Sequence, residues 1–463
     1  RASLSAEFTF FSQFPAASVK PRPFPKATTN LAASFPMFNY AHGKSRGNPL
    51  GDGSAVMPLK TDGGTLYDFN FHYTDPKEIV VNGEYPAGHT LILGKTGTGK
   101  TVTVAALLSF AERFNPFIFA MDKDKGLEIF IRAIGGTYFA LDAGVPTGLN
   151  PFQWPDSPRL RDFLYDLVGS CVRQGHKENT AEETKQIQMA VDTVMNLDFQ
   201  HRRMGALLHS IPPSSEENSL LTRLEIWCGK GRFGWCFDNP SNLFNPDEFF
   251  RVGFDLTDIL KTNYRPTEPL LACLFYMKNI MLDRVAKTRS ALFTVVEEFW
   301  LPASYPTTAR FILDGLKTDR KLGGLLVLPT QSPKDAIDSP IFDTVVEQTV
   351  TKILLPNPAA EYEGNYSRIG LTEKEFREMV RLGEKSRTFL VKQNMGSSLA
   401  KLNLQGMDEE IAVLSGNSAN VHIMHEAMKS CGSEKPDDWL PVFQQMRREA
   451  HARQKQAESL LAV

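Results

Sequence analysis

Gly94-Lys95-Thr96-Gly97-Thr98-Gly99-Lys100-Thr101 is the stretch on which the fold turns. It is a complete G-x-x-x-x-G-K-[ST] loop, and both of its flanks suit it. Gly88-His89-Thr90-Leu91-Ile92-Leu93 before it reads as a short buried strand, and Val102 to Phe110 after it read as a helix. A strand, a glycine loop and a helix start aim several backbone N–H groups at one point, at the positive end of the helix. That arrangement suits a triphosphate, with the loop from Gly94 to Thr101 around it. Lys100 would reach the β- and γ-phosphates, and Thr101 would ligate Mg²⁺.

Downstream, apolar runs recur at 116–121, 252–254, 292–296, 324–328 and 353–355, each bounded by turn or polar residues. Short apolar runs alternating with helical spacing predict an α/β fold with a mainly parallel sheet covered on both faces. Upstream, residues 55–72 carry short alternating runs that predict a hairpin or small sheet. Residues 1–50, rich in Pro, Phe, Ser and Asn, read as a linking segment after a further N-terminal region. From 153 to 245 the strand signal disappears and helical spacing takes over at 158–173, 180–197 and 216–229, with a capping box at Thr180 and Glu183. This predicts an all-α insertion between two halves of the core, 51–152 and 246–414. Residues 415–463 read as helical, with an exposed helix from Met446 to Ala462 carrying Arg447, Arg448, Arg453 and Lys455.

Hydrolysis requires carboxylates at the end of a buried strand near the loop. Leu292-Phe293-Thr294-Val295-Val296-Glu297-Glu298-Phe299-Trp300 supplies two in succession. Glu297 is the candidate magnesium-side acid and Glu298 the candidate base for the attacking water. Asp122 and Asp255 also end apolar runs, but neither has an adjacent second acid. Gln331, after the apolar run 324–328, is placed to hydrogen-bond the γ-phosphate or the water. Arg320 is a candidate to neutralise transition-state charge on a neighbouring subunit's nucleotide, with Arg387 as second choice.

The bulk composition narrows the classes. With 42% hydrophobic and 22% charged residues, the 463-residue chain is expected to fold as a globular protein. The formal net charge of −2 gives no basic field, so DNA binding is not indicated by charge. Five cysteines without CxxC pairs argue against a disulfide framework or zinc site. The sequence offers no apolar run long enough for a membrane span.

Taken in order, these elements resemble the TrbE/CagE family of conjugation ATPases, which includes the fourth VirB component of type IV secretion systems. The marks are Thr29-Asn30-Leu31-Ala32, Phe71-His72, the glycine loop, Gly148-Leu149-Asn150-Pro151-Phe152 and Gly253-Phe254-Asp255-Leu256-Thr257. Glu297-Glu298-Phe299-Trp300, Thr330-Gln331-Ser332 and Leu355-Pro356-Asn357-Pro358 complete the set, and the resemblance runs on to Trp439-Leu440-Pro441. The family pattern usually has Asp-Glu where this chain has Glu297-Glu298. The resemblance implies a RecA-like P-loop core interrupted by an all-α region, binding ATP and Mg²⁺. It implies dimers or hexamers, peripheral at the cytoplasmic face of a bacterial inner membrane, working with other secretion components and companion ATPases to build the pilus and move substrates. An arginine placed like Arg320 acts in trans in the related coupling ATPases. The alternatives are a DNA-translocating motor of the coupling type and a nucleotide-gated scaffold.

Overall fold

The structure is a computed structural model. It describes residues 10–18, 27–29, 41–72, 86–175, 177–214, 216–331, 333–393 and 396–461, without the side chains of 455 and 457–461. Asn30-Leu31-Ala32, Ser332 and Ala462 lie outside the described residues. The chain divides into two compact units, residues 1–41 and 42–463. In the first, Phe10, Phe11 and Phe14 form an aromatic cluster with edge-on neighbours at 5.5 Å.

The second unit is built on one 11-stranded sheet. In chain order its first elements are β1 (Met57–Thr61), β2 (Leu66–Phe69), β3 (Thr90–Leu93), α1 (Lys100–Ala111), β4 (Phe117–Asp122), α2 (Glu128–Ala133) and β5 (Thr137–Ala140). The helices α3 (Pro158–Val172), α4 (Ala181–Met195), α5 (Leu220–Glu225) and α6 (Gly234–Phe237) follow. The chain then returns to the sheet through β6 (Arg251–Asp255), α7 (Thr267–Thr288), β7 (Leu292–Val296), α8 (Pro306–Thr318), β8 (Gly324–Thr330), α9 (Pro333–Ile337), α10 (Phe342–Gln348) and β9 (Thr351–Leu354). It finishes with α11 (Glu373–Arg381), β10 (Thr388–Gln393), β11 (Gly396–Lys401), α12 (Asp408–Leu414), α13 (Ser418–Cys431) and α14 (Pro436–Leu461).

The strand order is β2-β1-β11-β10-β9-β3-β8-β7-β4-β6-β5. From β9 to β5 neighbouring strands run parallel, and the other four join antiparallel. The sequence pattern follows this division. Every residue of β4, β7 and β8 is buried, as a sheet covered on both faces requires. In β1 burial alternates, with Met57, Leu59 and Thr61 in and Pro58 and Lys60 out. The hairpin expected in residues 55–72 is β1–β2, joined to the main sheet through β11. Strands β5, β10 and β11 are absent from the expected runs. β11 reads Gly-Ser-Ser-Leu-Ala-Lys, a poor strand former in isolation, and pairing with β10 and β1 imposes its conformation.

Topology brings the distant motifs together. The chain leaves β3 and reaches β4 only after passing over β8 and β7. The C-terminal ends of β3, β8, β7 and β4 are therefore neighbours at a switch in strand order, the place where open α/β sheets bind ligands.

Helices α3 and α4 match the expected spacing, and Thr180 and Glu183 form the capping box. The expected helix over 216–229 is shorter. α5, capped by Ser219, ends at Glu225, and Gly229 and Gly231 follow in turns. Apolar residues of this region, such as Leu164, Val191 and Trp227, share one buried cluster with Leu271 and Phe275 of α7. Its two ends are tied by side-chain amides. Buried Asn150 donates to the carbonyls of Arg202 and Asn239, both at 2.9 Å, and Gln153 donates to Pro240 at 3.1 Å.

The C-terminal helices dock on α2 through a second cluster of Ile129, Met424, Trp439 and Phe443. The expectation that the helix from Met446 is exposed needs one correction. Arg447 is buried, donating to the Asp408 carbonyl at 2.9 Å and to Gln444 at 3.2 Å, because α12 packs over this turn. Among the described residues no helix is long and apolar enough to cross a membrane.

Candidate active site

The loop 94–101 leaves β3 with Gly94 N–H still in the ladder, donating to the Thr330 carbonyl at 3.1 Å. Gly97 and Gly99 have φ of 85° and 96°, the left-handed region that glycine enters without a Cβ penalty. Gly99 caps α1 without any side-chain cap, so the first-turn N–H groups of this 12-residue helix are free to meet an anion.

Beyond β7 the ladder also continues into the site. Glu297 N–H donates to the Met121 carbonyl and Glu298 N–H to the Pro329 carbonyl, each at 3.0 Å. Glu298 adopts φ 49°, a left-handed conformation that costs a non-glycine residue about 1–3 kcal/mol. The strained turn holds its carboxylate against the glycine loop. Lys100 Nζ lies 2.8 Å from Glu298 Oε1, both side chains being nearly fully buried. Trp300 Nε1 donates to Glu298 Oε2 at 2.9 Å, Thr330 Oγ1 at 3.0 Å, and Gln331 N–H reaches Oε1 at 3.1 Å. Burial alone would raise the Glu298 pKa. The Lys100 charge and the bonds from Lys100, Trp300 and Thr330 outweigh burial and hold it below the ordinary glutamate value.

Gln331 closes the other side of the loop, its side-chain Oε1 accepting from Thr96 Oγ1. The sequence singled out Gln331 and Glu298 separately, and the structure hydrogen-bonds them. It gave no role to Trp300 or Thr330. Their signal was position alone, two residues after Glu298 and one before Gln331.

Glu297 and Asp122 stand side by side at the ends of β7 and β4. Burial, then the neighbouring Glu297 charge, pushes Asp122 well above the carboxylate range. Burial likewise raises Glu297, against the pull of Lys100. The two differ in what they have left to offer. Asp122 Oδ1 accepts from Lys123 N–H at 2.8 Å, and Oδ2 accepts from Leu127 N–H at 2.7 Å and Tyr138 OH at 2.6 Å. Glu297 Oε2 accepts from Lys123 N–H at 3.3 Å, its buried Oε1 has no N–H or hydroxyl donor, and the two carboxyls hydrogen-bond each other when one of them is protonated. A buried carboxylate oxygen without such a donor, beside a second carboxylate, fits a hard divalent cation, with Thr101 of α1 as the hydroxyl on the loop side. Asp255 serves the backbone instead, bonding Thr257, whose Oγ1 accepts from Asp124 N–H at 2.7 Å.

The two candidate arginines separate. Arg320 lies in the turn just before β8, at the opposite end of that strand from Gln331. Arg387 lies at the glycine loop of its own chain, with Nη1 3.5 Å from where a Cβ on Gly99 would stand.

No protein-family model matches the chain. It is 38% identical over 451 residues to the type IV secretion system protein VirB4 of Bartonella henselae, covering 96% of this chain and 55% of that protein. It is 34% identical over 465 residues to the type IV secretion system protein PtlC of Bordetella pertussis, covering 97% of this chain and 55% of the relative. The chain thus spans about half the length of the curated relatives it matches. The solved structure of VirB4 from Thermoanaerobacter pseudethanolicus shares the fold, with a TM-score of 0.61 at 19% identity over 77% of this chain and 99% of that one. The chain belongs to the VirB4 family of type IV secretion system proteins.

Proposed function

We propose that this chain hydrolyses ATP with Mg²⁺ at the ends of β3, β7 and β8, as the motor portion of a type IV secretion ATPase. The observation that carries the proposal is the buried Lys100–Glu298 pair, which binds the phosphate-binding lysine directly to the candidate base. A triphosphate in the loop competes for the Lys100 ammonium. As Lys100 turns to the phosphates, Glu298 loses its largest source of charge stabilisation, and burial then raises its proton affinity. The base is thereby strengthened when there is a phosphate to hydrolyse. Glu298 would orient and deprotonate the water, while Gln331, bonded to both Glu298 and Thr96, would sense the γ-phosphate.

Thr101 and Glu297 would hold the magnesium ion, with Asp122 beside them; the ion would supply charge neutralisation at the β- and γ-phosphates. The Glu297 side chain is one methylene longer than aspartate, and the neighbouring Asp122, fixed by three donors, limits where that extra length can go. Arg320 stands too far along β8 to serve its own nucleotide, so a catalytic role for it requires a neighbouring copy, in a dimer or hexamer. The named role of the relatives in type IV secretion supports a place among other secretion components and companion ATPases, peripheral at the cytoplasmic face of the inner membrane.

Phosphate release by Glu298→Gln tests the chemistry. Loss of a general base predicts a fall of about 10²–10⁴-fold with nucleotide binding retained. Release equal to that of the unaltered chain would overturn the hydrolytic role of Glu298 and favour a nucleotide-gated scaffold.

A further inference from the structure

Tyr138 stands on β5, the last strand of the sheet on its side, yet its hydroxyl acts two strands away. β6 lies between β5 and β4, and its Gly253 is in register with Tyr138 on one side and Ala120 on the other. A Cβ on Gly253 would stand 2.5 Å from Tyr138 Cδ2, so the glycine leaves the space through which the ring crosses β6. Beyond it the hydroxyl donates to Asp122 Oδ2 at 2.6 Å, with both side chains buried. The base of the ring is held as well. Arg132 of α2 donates to the Tyr138 carbonyl and to Glu128 Oε1, each at 3.0 Å, and its guanidinium lies 5.9 Å from the ring centroid.

Asp122 is the hub of the acidic end. Its backbone donors, Lys123 N–H and Leu127 N–H, belong to the turn after β4, in which Asp124 and Lys125 adopt φ of 60° and 56°. The Lys123 N–H also reaches Glu297 Oε2 at 3.3 Å, so one peptide group spans both carboxyls. Across the turn, a Cβ on Gly126 would meet Thr101 Cγ2 at 3.1 Å and Asp122 Oδ1 at 3.4 Å, which sets the loop threonine next to the aspartate. Thr101, Asp122 and Glu297 thus form one contiguous group. The torsion that turns an aspartate carboxyl is broad, and backbone donors on one side leave it room to swing. The Tyr138 hydroxyl braces it from the other side.

We propose that Tyr138 is a positioning residue for the divalent cation: its hydroxyl locks the Asp122 carboxyl, and Asp122 in turn keeps Glu297 facing Thr101. The inference rests on the reading of Thr101 and Glu297 as the residues that would hold Mg²⁺. It makes an edge strand part of the site, and it explains why β6 carries glycine at position 253.

Binding of Mn²⁺ to the full chain with ADP, the chain in excess over the nucleotide, is read from the electron paramagnetic resonance signal of free Mn²⁺ and needs no turnover. Tyr138→Phe removes the donor and keeps the ring. It is expected to weaken Mn²⁺ binding about tenfold, while ADP affinity without metal stays within about twofold. The same change in a Glu297→Gln background separates positioning from general loosening. Acting through Glu297, Tyr138→Phe should add less than about twofold to the loss that Glu297→Gln causes, whereas a purely structural role gives the full fall in both backgrounds. Mn²⁺ affinity unchanged by Tyr138→Phe, or an equal fall in both backgrounds, would overturn the proposal. Unchanged Mn²⁺ affinity in Glu297→Gln would instead overturn the metal reading beneath it. Fluorotyrosine in place of Tyr138 covers the case in which Tyr138→Phe does not fold. Its fluorine resonance is expected to move when Mg²⁺ is added to the ADP-bound chain, and a resonance that stays in place overturns the coupling.

Discussion

Two lysine–carboxylate pairs are buried at opposite ends of the same sheet, Lys100–Glu298 at 2.8 Å and Lys278–Asp319 at 2.5 Å. Their burial is nearly equal, and so burial cannot be what separates a working pair from a structural one. Their surroundings differ. Lys278 lies inside the long helix α7, and Asp319 lies in the turn that leads into β8, packed against Gly315 and Gly324. Close by, His89 is kept neutral: burial lowers its pKa to about 4, and its Nδ1 accepts from Leu326 N–H at 2.9 Å. Around Lys100 and Glu298 the backbone is strained at Glu298, the helix end at Gly99 is uncapped, and Glu297 Oε1 has no N–H or hydroxyl donor. Strain at Arg289 and an unpartnered His89 Nε2 occur at the other end as well, so the uncapped start of α1, more than the ion pair itself, marks the end of the sheet where an anion would bind.

Alanine in place of each lysine gives the largest test of that contrast. Lys278→Ala leaves Asp319 buried and unpaired and is expected to cost about 3–5 kcal/mol of stability in denaturant unfolding. Lys100→Ala is expected to lower phosphate release by about 10²–10³-fold or more. Its cost in stability should be smaller than that of Lys278→Ala, because Trp300, Thr330 and the Gln331 N–H still donate to Glu298. Equal destabilisation by the two substitutions would erase the distinction between the pairs.

The same contrast explains what could be read from the sequence. The Gly94–Thr101 loop, Glu298 and Gln331 were legible because each sits at the end of an apolar run, and a parallel sheet gathers such ends on one edge. The Lys278–Asp319 pair was not legible, since a lysine in an apolar helix and an aspartate in a turn announce no partner. Asn150 was noticed within a motif, yet its work is to close the neck of the helical region by bonds to Arg202 and Asn239, which only the folded chain brings near. The link from Tyr138 to Asp122 was hidden for a similar reason. β5 lies outside the expected apolar runs, and only the pairing of β5 with β6 and of β6 with β4 brings the hydroxyl near the aspartate. Arg320 and Arg387 looked alike as isolated cations, and strand direction alone sets them at different ends.

The smallest expected effect is also the most specific to the Lys100–Glu298 end. Trp300 donates one of the bonds that hold the Glu298 pKa down, and Trp300→Phe removes that donor while keeping an aromatic ring. A carboxylate whose folded pKa is lowered stabilises the fold above its unfolded value, and the contribution disappears as pH falls through the folded value. In the unaltered chain the loss therefore runs from the ordinary glutamate range down to the lowered one. In Trp300→Phe the folded pKa moves back up, so the lower limit of that window rises and less stability is lost on acidification. Denaturant unfolding followed from neutral to acid pH should show this shallower acid limb, together with a cost at neutral pH of about 1.5–3 kcal/mol for the lost bond to a charged group. The pair at the other end predicts the opposite control. Neither Lys278 nor Asp319 touches Trp300, so if the acid limb proved identical in both proteins, the tuning of Glu298 by its donors would be wrong, and the Lys100–Glu298 pair would be as inert as its counterpart.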